Sequence, residues 1–146
     1  MTRFFSLHEA ERALPEVEKA IREMLFLRAE HNRMDSELRQ IPYRIMMAGG
    51  MQVNREQIGE MKEELKRTTE RMQESYQQIQ EAGAQVKDLD IGLIDFPSLY
   101  RGEEVCLCWK LGEGRIEYWH GVSEGFAGRK KIDQEFRENH RGDRPS

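Results

Sequence analysis

Apolar residues recur in steps of three and four positions along the first part of the chain, which is the spacing of one face of an α-helix. The series follows a capping-box pattern, in which Glu9 stands three residues after Ser6. Pro15 predicts either a short first helix or a kink near this position, and Pro42 ends the pattern. The regular positions are Val17, Ala20, Met24, Leu27, His31, Met34, Leu38 and Ile41.

A second series with the same spacing follows a connector that contains Gly49 and Gly50. Its positions are Ile58, Met61, Leu65, Thr68, Met72, Ser75, Ile79, Ala82 and Val86. This alternation is the seam of a heptad repeat, and two long helices joined by a short connector fold back as an antiparallel pair. The sequence therefore predicts a coiled-coil-like helical hairpin over about residues 6–87. His31 is a polar seam residue, of the kind that commonly fixes register.

The apolar period changes to two in residues 105–111 and 116–122, which indicates two strands. Residues 112–114 lie between them, so a β-hairpin is favoured. A three-residue loop would set Leu111 opposite Arg115, whereas a two- or four-residue loop would set Leu111 opposite Ile116. The latter register keeps one face apolar and is the one expected. It places His120 on the face opposite to both cysteines, and the two tryptophans on opposite faces.

These patterns predict an α+β fold, mainly α, with a long antiparallel helical hairpin and a small antiparallel β-hairpin element near the C-terminus. One domain is expected over residues 1–129, with the β-element at about 88–129. Residues 130–146 are mostly charged, with isolated Ile132 and Phe136. A disordered tail is expected there because such a segment buries little surface.

Composition excludes several function classes. The 146 residues include 23 Lys and Arg against 27 Asp and Glu, a net charge of -4 that argues against a phosphate-backbone binder. No apolar run approaches the roughly 18 residues of a membrane span, and the first residues lack a signal-peptide pattern. The two cysteines cannot build a disulfide framework, which fits a reducing compartment. We therefore expect a cytoplasmic protein that binds neither nucleic acid nor membranes.

Cys106 and Cys108 are the weak candidates for a metal site. Residues two apart on a strand point to the same face, so both thiols could reach one ion. A structural zinc site, however, takes four ligands, and no histidine lies at a recognised spacing from the pair. The sequence favours two buried thiols and predicts neither a metal nor another cofactor.

The C-terminal third also carries a candidate binding site for a small molecule or anion. Arginine offers a planar fork that matches carboxylate or phosphate, and tryptophan supplies an apolar wall. The alternative is structural, with Trp109 in the core and the arginines paired to Asp95 and Glu124. The candidate residues are Arg101, Trp109, Trp119, His120, Glu124 and Arg129.

Several segments together resemble one protein family. They are Phe5–Ala10, Leu14–Pro15, Lys87–Pro97, Cys106–Glu113, Tyr118–His120 and Gly125–Arg129. They resemble the bacterial family called domain of unknown function 2203, over nearly the whole chain. The resemblance implies a small bacterial, cytoplasmic protein and brings no catalytic residue with it.

Three functions follow in order of preference. The first is a non-enzymatic interaction or scaffold protein that self-associates as a homodimer, because Thr69 and Tyr76 leave a second half-apolar stripe on the second helix. The alternative is a domain, enzymatic or not, that binds a small anionic ligand through the C-terminal third. The third is a metal-binding protein that uses Cys106 and Cys108. An unidentified protein partner is also compatible with the first function.

Overall fold

The computed structural model of the chain describes residues 2–47 and 55–143. These residues mix helix and sheet, with a long N-terminal helix and an antiparallel sheet, as expected. Its helices and strands are α1 (Leu7–Met47), α2 (Arg55–Glu81), β1 (Gln85–Asp88), β2 (Leu93–Tyr100), β3 (Glu103–Lys110), β4 (Tyr118–Gly121), β5 (Lys130–Lys131), α3 (Gln134–Asn139) and β6 (His140–Arg141). Two compact units result. The sheet unit comprises residues up to 21 and from 77 onward, and the helical unit comprises residues 22–76.

Helix α1 begins at the predicted capping box. The Ser6 hydroxyl oxygen accepts a hydrogen bond from the Glu9 N–H at 3.1 Å, and the Glu9 carboxylate accepts one from the Ser6 N–H at 3.0 Å. The helix then continues through both Pro15 and Pro42. The predicted short first helix and the predicted end at Pro42 are therefore wrong. A proline removes one backbone hydrogen bond, and the remaining bonds on each side are enough to continue this helix.

The helical unit buries α2 along the predicted seam. The residues of α2 up to 76 that are buried or half-buried are Ile58, Met61, Leu65, Thr68, Met72 and Ser75. Arg71 forms an ion pair with Glu23 at 2.8 Å, while Met34 and Met61 line one surface groove. These contacts require the two helical segments of this unit to run antiparallel. The predicted connector at Gly49 and Gly50 lies outside the described residues.

The sheet unit is built on β2, a strand that the sequence pattern did not reveal. The strand order is β1-β2-β3-β4-β5, and β6 pairs with β2 beyond the end of β1, all antiparallel. Residues 93–98 are all buried, so they show no alternation of apolar and polar positions. On one face of this strand, Phe96 meets Phe5 edge to face at 5.3 Å between ring centroids.

The register between β3 and β4 differs by one residue from the expected one. Cys106 lies opposite His120, and Cys108 lies opposite Tyr118. This is the register of the three-residue-loop alternative, and a slip of one residue exchanges the faces of every side chain. His120 therefore shares a face with both cysteines, and Trp119 shares the other face with Trp109. The prediction that His120 faces away from the cysteines is therefore wrong, and so is the prediction that the two tryptophans lie on opposite faces.

Residues 130–143 are folded, in contrast to the disordered tail expected from their composition. β5 pairs with β4, α3 follows, and β6 pairs with the end of β2. Phe136 of α3 is 1% exposed and stacks on Tyr100 and Trp119 at 4.9 and 4.8 Å. The prediction missed this because a single buried aromatic residue produces no periodic pattern. Residues 144–146 lie outside the described residues.

No helix in the described part of the chain combines the length and the apolar character needed to cross a bilayer.

Candidate functional site

Three neighbouring strands bring polar side chains to one face of the sheet. We call the set of Asp95, Cys106, Cys108 and His120 the buried polar cluster. Asp95 of β2 lies opposite Cys108 of β3, and Cys106 of β3 lies opposite His120 of β4. Directly opposite residues in an antiparallel pair have Cβ atoms about 4.5–5.5 Å apart. The register itself therefore assembles the cluster.

The buried polar cluster is shielded from water. Asp95 is 1% exposed, Cys106 6%, Cys108 0% and His120 2%. One ligand atom each from Asp95, Cys106 and His120 lies within 4.8 Å of the other two. Buried polar groups are costly unless they bond to one another or hold an ion. Such a concentration of ligating atoms in a protein interior therefore marks the candidate site.

His120 is held at both ring nitrogens. Its Nδ1 lies 2.7 Å from the Gly121 carbonyl oxygen, and its Nε2 lies 3.1 Å from each carboxylate oxygen of Asp95. A carbonyl oxygen only accepts, so Nδ1 carries a proton and donates it. With the proton on Nδ1, Nε2 of a neutral imidazole is an acceptor, and so is the carboxylate. Two acceptors attract each other only when a cation lies between them.

The two thiols are buried beside the same carboxylate. Burial raises the pKa of Cys106 and of Cys108 to about 12, and the charge of Asp95 and a hydrogen bond to it act in the same direction. Both cysteines are free of disulfide bonds. Because the thiolate is the reactive form, neither residue is an activated nucleophile.

An ion pair lies near Cys108, and both of its charges act on the thiol. The guanidinium of Arg129 donates to both carboxylate oxygens of Glu113, at 2.7 and 2.8 Å. It also lies 3.9 Å from the centre of the Tyr118 ring, and its charge lowers the pKa of Cys108 slightly against the effect of burial. The side chain of Arg129 is 11% exposed. Its positive charge is thus already matched by that of Glu113.

Three of the six predicted ligand-site residues, Arg101, Glu124 and Arg129, form ion pairs with neighbouring charged side chains. Arg101 forms an ion pair with Glu135, and Glu124 forms one with Lys130 at 2.7 Å. The bond to Lys130 and one from the Gly121 N–H hold the pKa of the exposed Glu124 carboxyl below its ordinary value. The two arginines therefore pair with Glu135 and Glu113, whereas the sequence-based alternative paired them with Asp95 and Glu124.

The two tryptophans lie on the face opposite to His120. The indole N–H of Trp109 points to the carbonyl oxygens of Glu113 and Gly114, at 3.1 and 3.3 Å. Trp119 stacks on Phe136 at 4.8 Å between ring centroids and meets Tyr100 at 5.0 Å with the two rings tilted by 48°. Both are structural contacts within the sheet unit. The structure thus groups His120 with the cysteines and separates it from the tryptophans.

Asp95 is the site residue that sequence reasoning missed. It stands within the apolar run 91–97, where the only other side chains are apolar or absent. A lone carboxylate in such a run indicates a buried charge with a specific partner, since an unpaired one would be too costly. That signal, together with the alternative register, would have identified the cluster.

Comparison with known proteins identifies the family of the chain. A family model described as Uncharacterized conserved protein (DUF2203) matches residues 3–132. No protein of curated function and no solved structure matches the chain. The matched range contains all four members of the buried polar cluster and stops before α3.

Proposed function

The chain belongs to the family described as Uncharacterized conserved protein (DUF2203), and because this description states no activity, we propose from the site itself that the protein binds a transition-metal ion of the Zn²⁺ class. Asp95, Cys106 and His120 are the protein ligands. The observation that carries the proposal is the 3.1 Å separation between His120 Nε2 and each oxygen of Asp95.

That separation suits two ligands of one ion. Zinc binds imidazole nitrogen and carboxylate oxygen at about 2.0–2.2 Å, so two such atoms around a tetrahedral ion lie roughly 3.3 Å apart. An ion bound to both side chains therefore keeps them close to the separation that the structure shows. The bond from Nδ1 to the Gly121 carbonyl supports this, because metal-binding histidines usually donate their other N–H to such an acceptor.

The donor set favours a borderline metal over a hard one. Cys106 offers sulfur, His120 nitrogen and Asp95 oxygen, a combination that suits Zn²⁺ and Co²⁺. Ca²⁺ and Mg²⁺ take mainly oxygen ligands and keep several of them. An ion bound here would join β2, β3 and β4 at the centre of the sheet. Its first role is therefore structural.

Metal-dependent melting tests the proposal. Protein stripped with a chelator should melt about 5–10 °C lower than protein in Zn²⁺ at one hundred times Kd, because such binding stabilises the fold by about 2.7 kcal/mol. His120→Gln should lose this zinc-dependent increase in melting temperature. His31→Gln, which changes the half-buried seam histidine of the helical unit, is the matched control and should keep it.

Elemental analysis of the same samples should find one zinc per wild-type chain and far less in Cys106→Ser. The proposal is wrong if the wild-type chain binds no metal, or if His120→Gln shifts as much as the wild type.

A second function, self-association through the helical unit, is favoured by its exposed aromatic residues. Phe26 is 61% exposed and Tyr76 is 41% exposed. Within the described part of this unit, the buried side chains are Met24, Leu27, Met34, Thr68 and Ser75. Such a small core gains from further burial, and a second copy of the same unit supplies a matching apolar stripe.

Light scattering tests self-association directly. We expect the mass of a dimer at micromolar concentration, and the mass of a monomer for the double variant Phe26→Glu and Tyr76→Glu. Lys62→Glu, an exposed change on α2 away from both aromatic residues, is the control and should remain dimeric. A monomeric wild-type chain would reject a homodimer.

The free thiols favour a reducing compartment such as the cytoplasm as the place of function. Cys106 and Cys108 are both reduced and buried. A metal site that needs a thiolate is lost when the cysteine is oxidised, and reducing compartments preserve it.

A further inference from the structure

We propose that a cavity in the sheet unit binds a small zwitterion, namely an amino acid or a short peptide with a free ammonium group and a free carboxylate. The cavity has a volume of about 400 Å³ and is bordered by the first turns of α1, by residues 115–117 and by the segment from α3 to β6. None of the four described members of the buried polar cluster lines it, so this function is independent of the proposed metal site.

Part of the cavity wall is apolar and held in place. Leu7 and Ile116 line the cavity and are only 6% and 1% exposed. The imidazole of His140 also lines it, and both ring nitrogens are bonded, one to the Leu7 N–H and the other to backbone carbonyl oxygens. A volume of about 400 Å³ lies within the range of about 300–1,000 Å³ that is typical of small-molecule sites. The cavity therefore has room for a ligand of the size of a dipeptide.

Charged side chains of both signs line the same cavity. Arg115 and Arg137 supply two guanidinium groups, and Glu11 and Glu117 supply two carboxylates. Among the described residues, these four side chains form no ion pair and no hydrogen bond, either with one another or with a neighbour. Their charges are therefore available to a bound ligand, which need not displace an existing partner.

The first turn of α1 adds a free backbone donor beside these side chains. The N–H groups of Leu7, Glu9 and Ala10 all have acceptors. The N–H of His8, a residue that lines the cavity, has no acceptor in the part of the chain that the structure describes. Free N–H groups and the helix dipole favour negative charge at the start of a helix. Together with the two arginines, this end of α1 favours the carboxylate of the ligand.

The presence of both charges decides the class of ligand. A simple anion is repelled by Glu11 and Glu117, and a simple cation is repelled by the two arginines. A zwitterion is attracted by both kinds of side chain, because its carboxylate matches the planar fork of arginine and its ammonium group donates to a glutamate. Its carbon atoms can pack against Leu7 and Ile116. Amino acids and short peptides combine these features.

Titration with dialanine, followed by NMR of the isotopically labelled wild-type chain, tests the proposal. Dialanine should shift the backbone amide signals of His8 and Ile116 until they saturate. N-acetyl-dialanine lacks the ammonium group, and dialanine amide lacks the carboxylate. Each derivative loses one set of charge-assisted hydrogen bonds and should therefore bind about tenfold more weakly or worse.

Two variants assign the two ends of the ligand. Arg137→Gln should weaken the binding of dialanine about tenfold and reduce its advantage over dialanine amide, because the contact with the carboxylate is lost. Glu117→Gln should weaken it by a similar factor and reduce its advantage over N-acetyl-dialanine. Arg12→Gln is the matched control, since Arg12 is an exposed arginine of α1 that does not line the cavity. It should leave the affinity unchanged.

The proposal is wrong if millimolar dialanine shifts neither the His8 nor the Ile116 amide signal. It is also wrong if N-acetyl-dialanine binds as tightly as dialanine, because the site would then bind simple anions. Equal weakening by Arg12→Gln and Arg137→Gln would show an effect of net charge and would reject a site in this cavity. Binding or loss of zinc bears on none of these results, so they leave the proposed metal site to its own test.

Discussion

The imidazole Nε2 of His140 accepts a hydrogen bond from the Leu7 backbone N–H at 2.9 Å, although 133 positions separate the two residues. Leu7 is the first residue of α1, and the first N–H groups of a helix have no partner within it. His140 Nδ1 faces the carbonyl oxygens of Phe136 and Arg137, so it carries the ring proton and leaves Nε2 as an acceptor. The end of the described chain thus caps its longest helix.

Replacing His140 with alanine should lower the free energy of unfolding by about 1–2 kcal/mol, because a helix N–H loses its acceptor. The ring also stacks on Phe136 at 5.1 Å, and this contact is lost as well. Urea denaturation measures the change. His8→Ala removes an exposed histidine from the adjacent helical position and should alter stability by less than about 0.5 kcal/mol. Equal effects of the two substitutions would show that the cap contributes nothing.

Phe136 should be the residue on which the stability of the C-terminal segment depends. It is 1% exposed, so Phe136→Ala should cost about 3–5 kcal/mol. Phe126→Ala, at a ring that is 43% exposed, should cost several-fold less. Thermal and urea unfolding of both variants give the comparison. A loss below about 1 kcal/mol for Phe136→Ala would mean that residues 130–143 add little to the fold.

The helical parts of the fold were predictable because their burial is one-sided. In α2 the seam residues are shielded and the residues between them are exposed, so the period of the helix is visible in the sequence. The capping box of Ser6 and Glu9 was visible for a similar reason, since both partners lie three residues apart. Local signals of this kind do not depend on distant parts of the chain.

The β-sheet was less predictable because its centre is buried on both faces. Residues 105–109 are all buried, so apolar and polar positions do not identify the inner face. The rule that favoured an apolar pair of Leu111 and Ile116 therefore selected the wrong register. The correct register sets Cys106 opposite His120, and the candidate site depends entirely on this difference of one residue.

Stability should decrease at low pH in a way that depends on Glu9. Burial raises the pKa of its carboxyl, but bonds from the Ser6 N–H and hydroxyl and the charge of Arg3 outweigh burial and leave the pKa below 4.5. A lowered pKa means that the folded state favours the ionised form. The contribution is therefore complete above pH 4.5 and is lost as the pH falls through the folded-state pKa.

The difference in unfolding free energy between wild type and Glu9→Ala measures this contribution. We expect about 1 kcal/mol at pH 7 and a clear decrease toward pH 3. Glu16→Ala, at an exposed carboxylate on the same helix, should give a small difference at both pH values. A Glu9 difference that stays constant from pH 7 to pH 3 would contradict the linkage.

Two arginine–glutamate pairs with different burial should differ in coupling energy. The side chains of Arg129 and Glu113 are 11% and 25% exposed, and two hydrogen bonds join them. Those of Arg101 and Glu135 are 55% and 61% exposed. Each guanidinium also lies over a tyrosine ring, at 3.9 Å from the centroid for Arg129 and 5.2 Å for Arg101, and Arg129 lies over the Phe126 ring as well.

Double-mutant cycles with alanine at each position should give a coupling of about 1–2 kcal/mol for Arg129 with Glu113, because partly buried bidentate pairs are screened less by solvent. The exposed pair of Arg101 and Glu135 should give about 0.5 kcal/mol or less, decreasing further in 1 M salt. Equal couplings would mean that burial adds nothing to the first pair. A strong coupling at Arg129 would also count against its use as a binding group for an external anion, since such a ligand would have to displace Glu113.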